Sequence, residues 1–278
     1  MHSNGYGKRI CLDAFPPFAE KQGRFNAIEI TRGCIYSCKF CQTPYFYKAR
    51  FRHRSPANVA FYADAVKRRG LRDVRFLSPT SLSYGSEDGS VHLSAVENLL
   101  YSVRQTLGSN GRIYFGTFPS EIRPEHISRE ALTLLKQYVA NDNLVIGGQS
   151  GSETALQECH RNHSVSDILT AVDLCKSSGF IPNVDLIFGL PSKDENSDEA
   201  TISLAEILVK MGAQVHAHTF MPLPGTPYQN KSPGKINRIL QGKMDRLASR
   251  RLLYGQWMKQ IHYTHSKTRS PFKNSDIT

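Results

Sequence analysis

An alternation of two patterns constrains this chain more than any other feature. Six short runs rich in β-branched and aromatic residues are NAIEIT (26–31), DVRFLS (73–78), RIYFGT (112–117), NLVIGG (143–148), NVDLIFG (183–189) and QVHAHTF (214–220). Each is followed by a longer stretch with apolar residues at helical spacing, over 56–69, 91–107, 128–140, 165–178, 198–211 and 234–255. Repeated strand–helix units pair their strands in parallel through right-handed crossovers. The chain is therefore read as α/β, with one core of six βα units over 26–228. An N-terminal extension (1–25) precedes it and a basic C-terminal helix and tail (229–278) follows. Periodicity leaves an open partial barrel and a doubly wound sheet as alternatives.

Local punctuation agrees with this division. Ser55-Pro56 reads as an N-cap followed by proline at the first helical position, and Ser128 and Ser164 read as further N-caps. Gly70, Gly179 and Gly212 stand where helices should end. In either architecture ligands gather at the carboxyl ends of the strands. The chemically interesting stretches all follow strands: three cysteines, then SPTSLSYG, FPSEIRPE, QSGSE, GLPSKDE and MPLPGTP. One rim, and hence one site, is expected.

The longest apolar runs are under ten residues, so no membrane span is expected, and the N-terminus has no apolar signal-peptide core. A cytoplasmic location follows as an expectation. The formal net charge is +11, and residues 231–278 carry eleven Lys and Arg against two Asp. That basic end reads either as a solvated helix and tail or as a surface for phosphate, with nucleic acid as a conceivable partner that no binding motif supports.

Of the six cysteines, Cys11, Cys159 and Cys175 are scattered and read as packing residues or inert thiols. The other three, Cys34, Cys38 and Cys41, fall within RGCIYSCKFCQTP. In a chain this long they suggest a metal site rather than disulfides. A structural zinc site takes four protein ligands, and the nearest further candidate, His53, lies twelve residues on. Three thiolates on a four-iron cluster would leave one iron open for a small molecule.

Cys34-x3-Cys38-x2-Cys41, with Phe40 just before the last cysteine, resembles the signature of the radical S-adenosylmethionine (SAM) superfamily. The resemblance covers residues 26–228 and implies a partial (β/α)6 TIM-like barrel. It also implies a [4Fe–4S] cluster on Cys34, Cys38 and Cys41, with SAM chelating the unique iron. Within the superfamily the chain is most similar to the branch of the methylthiotransferases and the oxygen-independent coproporphyrinogen dehydrogenases. By that similarity Phe40, Ser78, Glu121, Gln149, Arg161 and Asp185 would contact SAM. Their chemistry is suited to it: carboxylates accept from ribose hydroxyls or an ammonium, and Arg161 can pair with a carboxylate. One stretch departs from the pattern, since the expected glycine-rich segment reads LSPTS (77–81). Its backbone carbonyls remain available as acceptors.

The implied chemistry is one-electron reduction of the cluster, by a ferredoxin or flavodoxin for example, and cleavage of SAM to methionine and a 5′-deoxyadenosyl radical. Methyl, methylthio or related group transfer would follow. The alternative is an iron–sulfur electron carrier or scaffold, which has no use for SAM ligands. IEITRGC, GTFPSEIRPE, QSGSE, HAHTFMPLPGTP and YGQW also resemble radical SAM domains that accompany a cobalamin-binding domain. No Asp-x-His-x-x-Gly cobalamin motif occurs here, so cobalamin would come from a separate subunit or would not be used. His216 and His218 alternate with Ala217 and Thr219 and so face one way. They read as proton donors, as substrate ligands or as satisfied core residues.

Overall fold

The computed structural model describes residues 10–48 and 50–267. Residues 1–9 of the extension and 268–278 of the tail lie outside the described residues. In chain order the strands are β1 (Ile28–Glu29), β2 (Thr31–Arg32), β3 (Arg52–His53), β4 (Asp73–Leu77), β5 (Arg112–Tyr114), β6 (Asn143–Gln149), β7 (Ile181–Phe188), β8 (Gln214–Thr219) and β9 (Leu253–Gly255). The α-helices are α1 (Gln42–Phe46), α2 (Pro56–Arg68), α3 (Leu93–Leu107), α4 (Arg129–Tyr138), α5 (Glu153–Glu158), α6 (Val165–Ser177), α7 (Ser197–Lys210), α8 (Arg238–Ser249) and α9 (Trp257–Lys267).

All six expected runs carry a strand. β1, β4 and β5 pair in parallel in that order, as do β6, β7, β8 and β9. The two sheets meet where the chain after β5 runs alongside β6. There Val145 N donates to Gly116 O and Ile122 N to Val145 O, both at 2.8 Å, and Gly147 N donates to Ile122 O at 3.0 Å. Strands that pair only in chain order, with helices between them, make the open, partial barrel and not the doubly wound alternative.

The long helices bury an apolar stripe in the core. In α3 the buried residues Val96, Leu99, Leu100, Val103 and Leu107 recur at helical spacing. Each such side chain taken out of water contributes roughly 1.5–3 kcal/mol. Ser55, Ser128 and Ser164 accept hydrogen bonds from the amides of Asn58, Ala131 and Asp167, as N-caps should. The described part of the N-terminal extension is also packed down: Leu12 and Phe18 are buried, and Asp13 accepts from the Ser55 amide at 3.0 Å.

The C-terminal reading needs correction. Residues 234–255 do not form one helix, and 229–278 is not an appendage of helix and tail alone. α8 stops at Ser249, and β9 then joins the sheet, pairing Val215 with Leu253, His216 with Tyr254 and Ala217 with Gly255. The cause is Arg251, which turns into the left-handed region at φ 58° and ends the helix without a glycine. α9 then packs on β8, where Gln260 accepts from the Thr219 amide at 2.8 Å. No helix among the described residues is long and apolar enough to cross a membrane. All six cysteines are free thiols.

Candidate active site

At the carboxyl ends of the strands lies a cavity of about 890 Å³. Its wall includes Cys34, Cys38, Phe40, Cys41, Ser78, Glu121, Gln149, Arg161 and Asp185, so the structure brings every residue expected from the sequence to one place.

The cysteine loop is held open by its backbone. Gly33, at φ 84°, lies so close to the Arg50 carbonyl that a Cβ would collide with it. Lys39 N donates to Cys159 O at 3.0 Å, and Tyr228 N donates to Lys39 O at 3.2 Å. Tyr36, between the first two cysteines, donates to Gly89 O at 2.7 Å and lies 3.0 Å from His126 Nε2. The Arg123 guanidinium covers the Tyr36 ring at 3.6 Å and bonds Glu125 at 2.6 Å. Burial opposes the Glu125 charge, yet His163 and Arg123 beside it hold this carboxyl well below the usual range.

The thiols fit an iron–sulfur cluster on their own chemistry. Burial pushes Cys34 up to about 12 and also raises Cys41, so these sulfurs favour the proton until a cation takes its place. Cys159 does not line the cavity; its thiol donates to Leu156 O at 3.4 Å. The donor set is thus three cysteines, which matches a four-iron cluster with one open position and falls short of a structural zinc site.

Two backbone devices aim the polar side chains. The β6–β7 register shifts between Gly147 and Gln149, and Gln149 takes φ 72°. Such a bulge re-aims the side chain that follows it. Arg161 is placed by a Schellman motif at the end of α5: His160 N donates to Gln157 O at 3.1 Å and Arg161 N to Leu156 O at 2.8 Å, with His160 at φ 61°. His160 occupies the position glycine prefers, so His160→Gly is expected to raise stability by about 1 kcal/mol without moving Arg161. Denaturant unfolding of the variant checks this, and a loss of stability would contradict it.

Arg161 Nη1 lies 3.7 Å from Cys38 Sγ and 4.0 Å from Glu121 Oε1, which ties the cysteine loop to the carboxylate. Burial raises the Glu121 carboxyl, and Arg161 opposes that rise. Gly147 sits among these groups: a Cβ there would lie 2.8 Å from Glu121 Oε2 and 2.9 Å from both Arg161 Nη2 and Gln149 Nε2. Ser78 departs from expectation in its side chain. Its hydroxyl donates to Thr80 O at 3.0 Å within the loop, and its amide donates to Ser120 Oγ at 2.9 Å on the loop after β5, so both polar hydrogens are committed to protein acceptors. What the stretch offers a ligand is therefore acceptors, the Ser78 hydroxyl oxygen and the carbonyls of 77–81.

The opposite wall was only partly anticipated. His216 and His218 face the cavity and are not core residues; their ring centroids are 4.2 Å apart. His216 Nδ1 donates to Asp185 Oδ1 at 3.0 Å, and Tyr254 stacks on His216 at 4.8 Å. Tyr254, Gln256 and Gln260 line the cavity from the region read as a C-terminal helix and tail, a reading that gave them no place in the site. The YGQW motif was the available signal.

The buried histidines make stability depend on pH. Burial lowers His126 to about 4 and also lowers His53. They are neutral in the folded protein, whereas the unfolded chain protonates them near pH 6.5, so stability falls as pH drops from about 6.5 toward 4. His126 alone contributes on the order of 3 kcal/mol to that loss. Unfolding free energies at pH 7 and pH 4.5 should differ in this direction, and His126→Phe should flatten the curve.

A family model described as "Radical SAM superfamily" matches residues 28–205. The chain belongs to this superfamily, whose members are enzymes that use a [4Fe–4S] cluster and SAM. It is 24% identical to a tRNA-2-methylthio-N(6)-dimethylallyladenosine synthase of Acidithiobacillus ferrooxidans over 250 residues, covering 85% of this chain and 54% of that protein. Among solved structures, its fold is similar to that of the radical SAM methyltransferase TsrM from Kitasatospora setae, which holds cobalamin and a [4Fe–4S] cluster. The TM-score is 0.58 at 18% identity, covering 73% of this chain and 38% of that one. The Escherichia coli coproporphyrinogen III oxidase HemN gives a TM-score of 0.56 at 17% identity, covering 80% and 51%. The chain spans 40% to 54% of the length of the first curated relatives it matches.

Proposed function

We propose that this chain is the catalytic barrel of a radical SAM enzyme of the group-transfer kind, with methyl, methylthio or a related group as cargo. One observation carries the reading: three cavity-facing cysteines share a wall with Glu121, Gln149, Arg161 and Asp185. An iron–sulfur carrier or scaffold has no need of that second set.

In this reading Cys34, Cys38 and Cys41 hold the [4Fe–4S] cluster, and SAM occupies the open iron and the cavity beside it. When bound, the pair supplies a 5′-deoxyadenosyl radical after one-electron reduction. The chain's own residues bind, orient and exclude water. Arg161, already balanced by Glu121, receives the methionyl carboxylate; Glu121 and Asp185 accept from hydroxyl or ammonium groups; Gln149 donates and accepts; Phe40 supplies an apolar contact. The carbonyls of 77–81 take the role that the departing LSPTS sequence puts in question.

Two partners follow. The reductant is a one-electron carrier of the ferredoxin or flavodoxin type. Methyl transfer would draw on cobalamin from elsewhere, because the sequence has no Asp-x-His-x-x-Gly motif. The methylthiotransferase relatives favour the methylthio branch.

The test is anaerobic. The protein is reconstituted with iron and sulfide, given dithionite and SAM, and assayed for 5′-deoxyadenosine by mass spectrometry. Turnover should be lost in Cys38→Ala. A loaded cluster that binds no SAM would overturn the reading in favour of the electron-transfer alternative.

A further inference from the structure

Asp185, His216 and His218 occupy the cavity wall away from the cysteine loop, on β7 and β8. One ligand atom from each lies within 4.8 Å of the others. Asp185 Oδ1 and His216 Nδ1 are 3.0 Å apart. Ligands about 2.0–2.1 Å from a tetrahedral ion stand roughly 3.4 Å from one another, so small imidazole rotations suffice to close the set.

The surroundings fix which atoms are offered. Gln260 Oε1 accepts from the Thr219 amide, so its Nε2 is the donor that meets His218 Nδ1 at 3.3 Å. Nδ1 is therefore the lone-pair atom of His218, and the contact is long enough to yield to a stronger acceptor of that lone pair. His216 is held edge-on to Asp185 by Tyr254, whose ring is nearly parallel to it at 14°. Side-chain exposures of 27% for His216 and 20% for Asp185 leave the group open to the cavity.

The geometry points to a divalent-cation site on Asp185 Oδ1, His216 Nδ1 and His218 Nδ1, separate from the three cysteines. Imidazole and carboxylate donors select zinc or iron(II), and three protein ligands leave a position free on the cavity side. His216 shifts its proton from Nδ1 to Nε2 when the ion binds, so no net proton is released. The free position takes an oxygen or nitrogen donor of the substrate and holds it in the cavity that the cysteines also line. One Asp185 oxygen serves the ion and the other remains for SAM.

The experiment uses the cluster-loaded protein with zinc as the probe. Protein reconstituted anaerobically is incubated with Zn2+, desalted and assayed for zinc, iron and sulfide, and the zinc K-edge absorption spectrum is recorded. One zinc per chain is expected, with nitrogen and oxygen neighbours at about 2.0–2.1 Å and no sulfur shell. Zinc should fall at least tenfold in His216→Gln and His218→Gln while their cluster iron stays at the wild-type level. Cys38→Ala should keep its zinc. Sulfur neighbours near 2.3 Å, zinc unaffected by either histidine change, or no retained zinc on a cluster-loaded protein would each overturn the site. Because the wild-type spectrum identifies the ligands directly, a variant that fails to fold does not blunt the test. None of these readouts uses SAM, so failure here and failure of the SAM reading are told apart.

Discussion

Gly147→Ala is expected to leave the barrel folded while reducing SAM-dependent 5′-deoxyadenosine formation by about 100-fold. The added Cβ would lie 2.8 Å from Glu121 Oε2 and 2.9 Å from Arg161 Nη2 and Gln149 Nε2. All three are ends of side chains, which can swing away, so the cost to stability is that of mild overpacking, roughly 1–3 kcal/mol. The cost to the site is larger, because three groups proposed to grip one ligand must all move. Displacements near 1 Å in a positioned site can cost on the order of 10²-fold. Thermal melting, calorimetric titration with SAM and the 5′-deoxyadenosine assay separate the two effects. Wild-type SAM affinity in a folded Gly147→Ala protein would sink the assignment of Glu121, Gln149 and Arg161.

Arg161→Leu should act on stability as well as on binding. Arg161 is 6% exposed, and it lies 4.0 Å from a Glu121 carboxyl that burial already disfavours as an anion. Removing one partner of a buried pair strands the other, typically at 3–5 kcal/mol. Glu121 retains 29% side-chain exposure, which reduces the expected loss to roughly 2–3 kcal/mol. The sign with pH follows from Glu121. Without the guanidinium its folded-state pKa rises further above the unfolded value, so the deficit is full at neutral pH and shrinks as acid protonates the carboxyl. Denaturant unfolding of both proteins at pH 7.5 and pH 5 reads this directly. A deficit that grows in acid would mean that Arg161 is held by something other than Glu121.

Helix ends show which parts of the fold the sequence displayed and which it concealed. Five helices end in the same hydrogen-bond pattern. After α2, α6 and α7 the left-handed residue is Gly70, Gly179 or Gly212, and those ends could be read directly. After α5 and α8 the same place is held by His160 and Arg251, which carry no such mark. α5 therefore went unseen as a helix, and β9 was absorbed into the helix before it. The cysteine loop was legible in its spacing, whereas its six expected companions came from the resemblance to the radical SAM superfamily, and all nine residues line one cavity. The Asp185–His216 pair was not, since register between β7 and β8 decides that Asp185 stands opposite His216. Ser78 shows the converse limit, a residue in the expected place whose hydroxyl hydrogen is committed to Thr80 O in its own loop and whose amide is committed to Ser120 on the next.

Tyr254, Gln256 and Gln260 give the last described stretch of chain a share in the cavity wall, although it contributes none of the cysteines. The segment that shapes what can enter is joined to the sheet by the three register pairs of β9 and by the contacts of α9. Changes confined to residues 253–260 thus reshape this part of the cavity wall while Cys34, Cys38 and Cys41 stay as they are.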